Sequence, residues 1–287
     1  MCYVLQEGVK LKGGTSNSGS RSERVPLFFG VSGHRDLVPA DLPKLHEQLR
    51  SIFARFRAAY PNTPFKLITP LAEGADRLAA DVALAVGIGL LVPLPMKRKE
   101  YERDFAAVES LSEFRRLLAE ADSSWEIPAA LHPTGNQRTR QYAEVGEFIA
   151  RSSHVLVLLW DGGDNKKIGG TAWVKKRRDH WVRAASDPLH GVVPLVYGPT
   201  IQVVTPRASG RGRRPHPATI GELPPSAAEF ARTLSKPQAN QRGGDSRKRP
   251  LLYQLVYQAI DNFNESLPDT STARKRTEAH SATRSRL

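Results

Sequence analysis

Leu27-Phe28-Phe29-Gly30-Val31-Ser32-Gly33-His34-Arg35-Asp36-Leu37 decides how the rest of the chain is read. Its first five residues form a short apolar run of the kind found in a buried strand. Ser32-Gly33-His34-Arg35-Asp36-Leu37 then breaks the run, and Pro39 and Asp41 mark a helix start. Leu42, Leu45, Leu49, Ile52, Phe53 and Phe56 follow at helical spacing. The unit is strand, glycine-bearing turn, helix.

The same cycle recurs downstream. Phe65-Lys66-Leu67-Ile68-Thr69 predicts a second strand, Leu71-Ala72-Glu73-Gly74-Ala75-Asp76 a turn, and residues 77–86 an alanine-rich helix closed by Gly87. Leu90-Leu91-Val92-Pro93-Leu94 predicts a third strand, and residues 97–121 a charged helical segment. A helix over 140–151 feeds a fourth strand over 154–160. Asp161-Gly162-Gly163-Asp164 and Gly169-Gly170-Thr171 come next, then a helix from Ala172 and a fifth strand over 200–205. Alternating strands and helices predict an α/β, Rossmann-like three-layer sandwich whose mainly parallel sheet has about five or more strands. Right-handed crossovers then place every glycine-bearing turn at the carboxyl edge of that sheet.

This domain is expected over residues 25–207. Residues 1–24, with Gly13-Gly14-Thr15-Ser16-Asn17-Ser18-Gly19-Ser20, read as a flexible leader. Residues 208–250 are rich in Arg, Pro and Gly and read as a largely disordered linker or insert. Residues 251–267 form an amphipathic helix with Leu252, Leu255, Val256, Ala259, Ile260 and Phe263 on one face. Residues 268–287 read as a disordered basic tail. The chain's net charge of +13 is concentrated outside the domain, since residues 208–287 hold 14 Lys/Arg against 7 Asp/Glu. Such segments are either solvated tails or contacts for anionic partners such as nucleic acid. Cys2 is the one cysteine, which excludes an intrachain disulfide and a thiolate zinc cluster. The N-terminus lacks the pattern of a signal peptide, and no run approaches the length of a membrane span. The expectation is a soluble cytoplasmic protein.

Three turns carry the candidate chemistry. Gly30, Ser32 and Gly33 supply small residues where a backbone must approach a ligand closely, and the next helix would offer N–H groups to a phosphate. His34 and Arg35 would add charged hydrogen bonds to it. In Glu73-Gly74-Ala75-Asp76-Arg77, Glu73 or Asp76 suits ribose hydroxyls, and Asp76 equally suits the N-cap of its helix. Asp161, Gly162, Gly169, Gly170 and Thr171 offer a second anion nest. Each turn also has a plain structural reading as a tight connection. The Walker phosphate loop and the hydrolase nucleophile elbow are absent, and the histidines show no metal-ligand spacing. Trp160 or Tyr142 is placed to stack on a base.

With the turns laid out, the chain resembles the SLOG superfamily, Rossmann-like domains related to the LOG and DprA proteins. The resemblance rests on Gly30 to Leu37, on Leu71-Ala72-Glu73-Gly74-Ala75-Asp76-Arg77-Leu78, and on Pro93-Leu94-Pro95 with Glu100-Tyr101-Glu102-Arg103-Asp104-Phe105. It continues through Leu159-Trp160-Asp161-Gly162, Gly169-Gly170-Thr171-Ala172 and Val203-Val204-Thr205-Pro206-Arg207. It implies a sensor for a nucleotide or nucleotide derivative in a bacterial conflict or signalling system. No cofactor or metal is expected, and a second copy or an effector protein is the implied partner. The subgroup is often linked to two-helix membrane effector domains, of which this sequence shows no span. The LOG enzymes instead cleave nucleotide N-glycosidic bonds, and for that alternative the candidate acids are Glu73, Asp76, Glu144 and Asp161. The equivalent loop here reads Ile168-Gly169-Gly170-Thr171-Ala172-Trp173-Val174-Lys175 and lacks the preceding proline of those enzymes.

Overall fold

The computed structural model describes residues 24–128, 134–163, 166–185, 196–210 and 252–267. Six strands form one sheet: β1 (Leu27–Gly33), β2 (Phe65–Ile68), β3 (Gly89–Leu94), β4 (Ser123–Glu126), β5 (Val155–Trp160) and β6 (Thr200–Val204). The helices are α1 (Leu42–Ala59), α2 (Ala75–Ala85), α3 (Arg98–Tyr101), α4 (Val108–Glu120), α5 (Gly135–Ser152), α6 (Thr171–Ala185) and α7 (Leu252–Ser266).

Strand β5 shows why the sheet is covered on both faces. All six of its residues are buried. Val155, Val157 and Leu159 enter one core, with α1, α2 and α4. Leu156, Leu158 and Trp160 enter the other, with Val145, Ile149 and Ala150 of α5 and Ala172 and Val174 of α6. Side chains alternate across a strand, so a continuous apolar run needs two covers. The strand order is β4-β3-β2-β1-β5-β6, and every pairing is parallel. The chain therefore reverses direction between β1 and β5, the position at which such sheets open a crevice above their carboxyl ends.

Helix α2 ends as its sequence predicts. Gly87 sits at φ +74°, and the N–H groups of Gly87 and Ile88 donate to the carbonyls of Leu84 and Ala83. The expected helix over 97–121 is instead two helices joined by a 3₁₀ turn. The chain leaves helical geometry at Phe105, where φ is −101° and ψ is 90°. The break brings the buried rings of Tyr101, Phe105 and Phe114 into mutual contact. Strand β4 lies beyond the five expected, on the sheet's edge, with exposed serines and no apolar run to announce it.

Helix α7 packs only part of the expected face, through Val256 and Ile260, and buries a more polar stripe beside it. Tyr253, Gln254, Tyr257, Asp261 and Asn264 are buried, while Leu252, Leu255 and Phe263 are exposed. The reason is the polar backbone it meets at the amino ends of the strands. Asp261 accepts from the Asn62 N–H at 2.8 Å, from Asn62 Nδ2 at 3.1 Å and from Thr63 Oγ1 at 2.7 Å. Asn264 accepts from the Val25 N–H at 2.7 Å and donates back to the Val25 carbonyl at 2.9 Å. The leader, most of the Arg-rich insert and the basic tail lie outside the described residues.

Candidate functional site

All three sequence-predicted turns follow the carboxyl ends of strands, which places them on one edge of the sheet. Strand β1 runs through Gly33, so Gly30 and Ser32 are ladder positions opposite Leu156 and Leu158. The glycines there make room for protein. A Cβ on Gly30 would lie 2.8 Å from both Ile149 Cγ2 and Ser153 Oγ. One on Gly33 would lie 2.4 Å from Ala75 Cβ. Helix α1 does not follow this turn directly, because residues 34–38 and a 3₁₀ turn over Pro39–Asp41 intervene. The helix whose start abuts Gly33 is α2, and its Ala75 N–H donates to the His34 carbonyl at 3.0 Å.

His34 faces inward, against the expectation of a charged phosphate contact. It is buried, and its Nε2 accepts from the Asp161 N–H at 3.1 Å. Burial and the nearby Arg207 hold the imidazole below its ordinary value, in keeping with a neutral acceptor. Asp161 lies under opposing influences. Burial pushes its carboxyl up, but the Gly163 N–H, His34 and Arg207 hold it below the usual carboxylate range. Arg207 bridges Asp161 at 3.2 Å and Asp36 at 3.4 Å, and Ser209 donates to Asp36 as well. This latch joins the loops after β1, β5 and β6.

In the second turn the N-cap is Gly74, at φ +78°, so Asp76 is not the cap. A side chain at residue 74 would strike the Arg35 carbonyl at 2.3 Å. Glu73 accepts from Ser110 Oγ. Arg77 is buried and donates to the Leu71 carbonyl, to Ser110 and to Glu113, so both residues brace α2 against α4. Asp76 differs from them. It is buried, takes one N–H from Ala72 at 3.3 Å, and burial pushes its carboxyl up to about 7 against the pull of Arg35. Arg35 is exposed, with its guanidinium 5.3 Å from the centroid of the Tyr142 ring.

The third turn is shaped by backbone geometry at Gly162 and Gly169, at φ +84° and +76°. Gly169 approaches α5 closely, and a Cβ there would lie 3.1 Å from the Ala143 nitrogen. Thr171 is buried at the start of α6. The Val174 N–H donates to the Gly170 carbonyl, which leaves the N–H groups of the preceding three residues outside the helix ladder. Trp160 is buried, with Nε1 donating to the Gly163 carbonyl at 2.9 Å, so it steadies this loop. Glu144 is exposed on α5.

Apart from Tyr142, sequence reading gave no site role to the members of a polar cluster that α3, its 3₁₀ extension and α5 bring to this edge. Tyr101 is wholly buried, with its ring centroid 6.2 Å from that of Tyr142. Burial raises the Tyr101 hydroxyl, and the charges acting on it are Arg35, Asp76, Asp104 and Arg77. Arg138 donates to Asp104 and to the Glu100 carbonyl. Four buried side-chain atoms in this cluster have no hydrogen-bond partner: Tyr101 Oη, Tyr142 Oη, Asp104 Oδ2 and Gln141 Oε1. Such atoms are costly to leave unpaired, by about 1–3 kcal/mol each. These residues sit within helices, where no glycine or turn signal flags them.

Among the described residues no group of three or more His, Cys, Asp or Glu is arranged to hold a metal ion. No described helix is long and apolar enough to cross a membrane. No protein-family model matches the chain, and no curated protein matches it. Among solved structures the chain is similar to DNA processing protein A (DprA) from Streptococcus pneumoniae, at 12% identity and a TM-score of 0.38. That match covers 54% of this chain and 48% of the other. It is also similar to DprA from Helicobacter pylori, solved for its single-stranded DNA binding mode, at 13% identity and a TM-score of 0.36. There the coverage is 59% of this chain and 64% of the other. The chain thus spans about half to two thirds of the length of these two proteins.

Proposed function

We propose that the carboxyl edge of the sheet binds a nucleotide or nucleotide-derived ligand and that the protein works as a sensor domain. The observation that carries this reading is the unfinished polar cluster beside the strand-order reversal. Its buried hydroxyl and carboxylate oxygens lack partners at the place where a doubly wound sheet receives ligands. Arg35 supplies an exposed cation above it, and the start of α6 supplies free N–H groups for an anionic moiety. His34, Asp161 and Arg207 hold the flanking loops in register, so ligand contacts at one loop pull on the others. A conformational or oligomeric equilibrium biased in this way is the sensor's output.

The test is a thermal-shift screen of the purified chain against mononucleotides, cyclic nucleotides, dinucleotides and ADP-ribose, repeated with Arg35→Ala. A ligand that binds the folded state stabilises it by about 2.7 kcal/mol at a hundredfold excess over its dissociation constant. The expected result is a rise in melting temperature that the variant loses. No shift with any compound, from folded protein, would overturn the reading.

A second reading, nucleotide N-glycosidase, has one observation in its favour. Of Glu73, Asp76, Glu144 and Asp161, only Asp76 combines burial with a carboxyl raised to about 7, the property of an acid that carries a proton at neutral pH. Steady release of free base from the stabilising nucleotide, abolished in Asp76→Asn, would establish it over the sensor.

A further inference from the structure

The unpartnered atoms at the carboxyl edge define the chemistry of the group that completes them. Asp104 Oδ2 accepts only, and Tyr101 Oη both donates and accepts. A phosphate brings only acceptors, and Asp104 Oδ2 needs a donor. An ammonium group would face Arg35, Arg77 and Arg138. An apolar group would leave every atom unpaired. A neutral hydroxyl fits, because it donates to a carboxylate while accepting from a phenol. Two neighbouring hydroxyls serve both partners at once.

We propose that Tyr101 and Asp104 recognise the vicinal diol of the ligand's ribose and so select ribonucleotides over deoxyribonucleotides. Tyr101 has none of its surface exposed, its hydroxyl has no partner, and the charges acting on it include Arg35, Asp76 and Asp104. Beside this cluster stands the exposed Arg35 side chain. It lies across the Tyr142 ring and has no ion pair among the described residues. A long, exposed side chain held by a ring contact swings aside at little cost, and its guanidinium then stays close enough to meet the ligand's phosphate. The ribose contact moves away from Glu73, which Ser110 already occupies. This assignment rests on the nucleotide reading above.

The experiment is calorimetric titration of the full chain with AMP, GMP, CMP, UMP and ADP-ribose, each binder compared with its 2′-deoxy form. Tyr101→Phe is titrated in parallel. The expected result is at least a tenfold preference for the ribo form, falling to less than threefold in Tyr101→Phe. The melting temperature of that variant should not drop, because the hydroxyl removed has no partner in the fold. Equal binding of ribo and deoxy forms overturns the proposal and leaves the nucleotide reading standing. A preference that survives in Tyr101→Phe also overturns it. Absence of binding by every compound overturns both. The ribo–deoxy comparison in the unaltered protein needs no variant to fold.

Discussion

The two ends of the sheet are built to different standards of completion. At the amino end, α7 and α6 satisfy the backbone that the strands leave open. Asp261 and Asn264 take up the polar groups of Val25, Asn62 and Thr63. Arg178, wholly buried on α6, donates to the carbonyls of Ala150, Ser153 and His154 and lies against the Tyr197 ring. The Tyr257 hydroxyl donates to the Val196 carbonyl at 3.0 Å. Among the described residues, Arg77, Tyr101, Asp104, Gln141 and Tyr142 at the carboxyl end each keep a buried polar atom without a partner, whereas only Arg178 Nε does so at the amino end. That contrast is what the proposed ligand site at the carboxyl end requires.

If that contrast is real, substitutions at the amino end cost stability, and comparable ones at the carboxyl end cost binding. Asp261→Ala should be the most damaging. It strands the Asn62 N–H, Asn62 Nδ2 and Thr63 hydroxyl, for a loss of about 3–4 kcal/mol by urea unfolding. Ligand affinity should change less than twofold in the fraction that remains folded. Gly33→Ala comes next and departs from that rule: although at the carboxyl end, it should cost about 2–3 kcal/mol, because its Cβ meets Ala75 at 2.4 Å and the Leu159 carbonyl at 2.8 Å.

Asp76 and His154 give the comparison a pH axis. Asp76 has its folded carboxyl at about 7 against an ordinary 3.8, so ionising it costs stability as pH rises between those values. Asp76→Asn should therefore raise stability at pH 8 by about 4 kcal/mol and change it little at pH 4. His154 at the amino end has the opposite sign. Burial and Arg178 hold it near 4 against an ordinary 6.5, and its Nδ1 accepts from the Phe28 N–H. Protons bind the unfolded chain more readily in that window, so stability falls as pH drops from 6.5 towards 4. In Asp76→Asn, where the opposing contribution is gone, differential scanning calorimetry should show the melting temperature falling on acidification. The smallest effect is Tyr101→Phe, whose stability should stay within about 0.5 kcal/mol of the unaltered protein or exceed it. A loss of more than 1 kcal/mol would mean the hydroxyl is already satisfied by the fold.

The legible parts of the sequence were those where apolar runs and glycines agree. The runs at Leu27, Phe65, Leu90 and Val155 are strands, the helical spacing from Leu42 is α1, and Gly87 ends α2. Strand β4 was not legible, because an edge strand reading Ser-Ser-Trp-Glu carries no periodic apolar signal. In α7, Tyr253, Tyr257, Asp261 and Asn264 make a helical stripe beside the one with its leucines, so hydrophobicity finds Val256 and Ile260 but not the polar part of the buried face. At the candidate site the turns were located, but the duties of individual residues were not. His34, Glu73 and Arg77 look like ligand contacts in one dimension and are spent on bracing loops in three. Tyr101 and Asp104 gain their interest from single buried oxygens, Oη and Oδ2, that lack a partner, a property no local pattern encodes. The hints to this cluster in the sequence are Tyr142 as an aromatic candidate and the stretch from Glu100 to Phe105, which carries part of the resemblance.

Hydrogen exchange with and without the best-binding nucleotide tests the contrast between the two ends most directly. The account predicts increased protection at residues 34–37, 72–76, 101–105 and 138–142, with residues 62–65, 196–198 and 252–266 unchanged. Protection gained at the amino end instead, with the carboxyl-end amides unaltered, would contradict it.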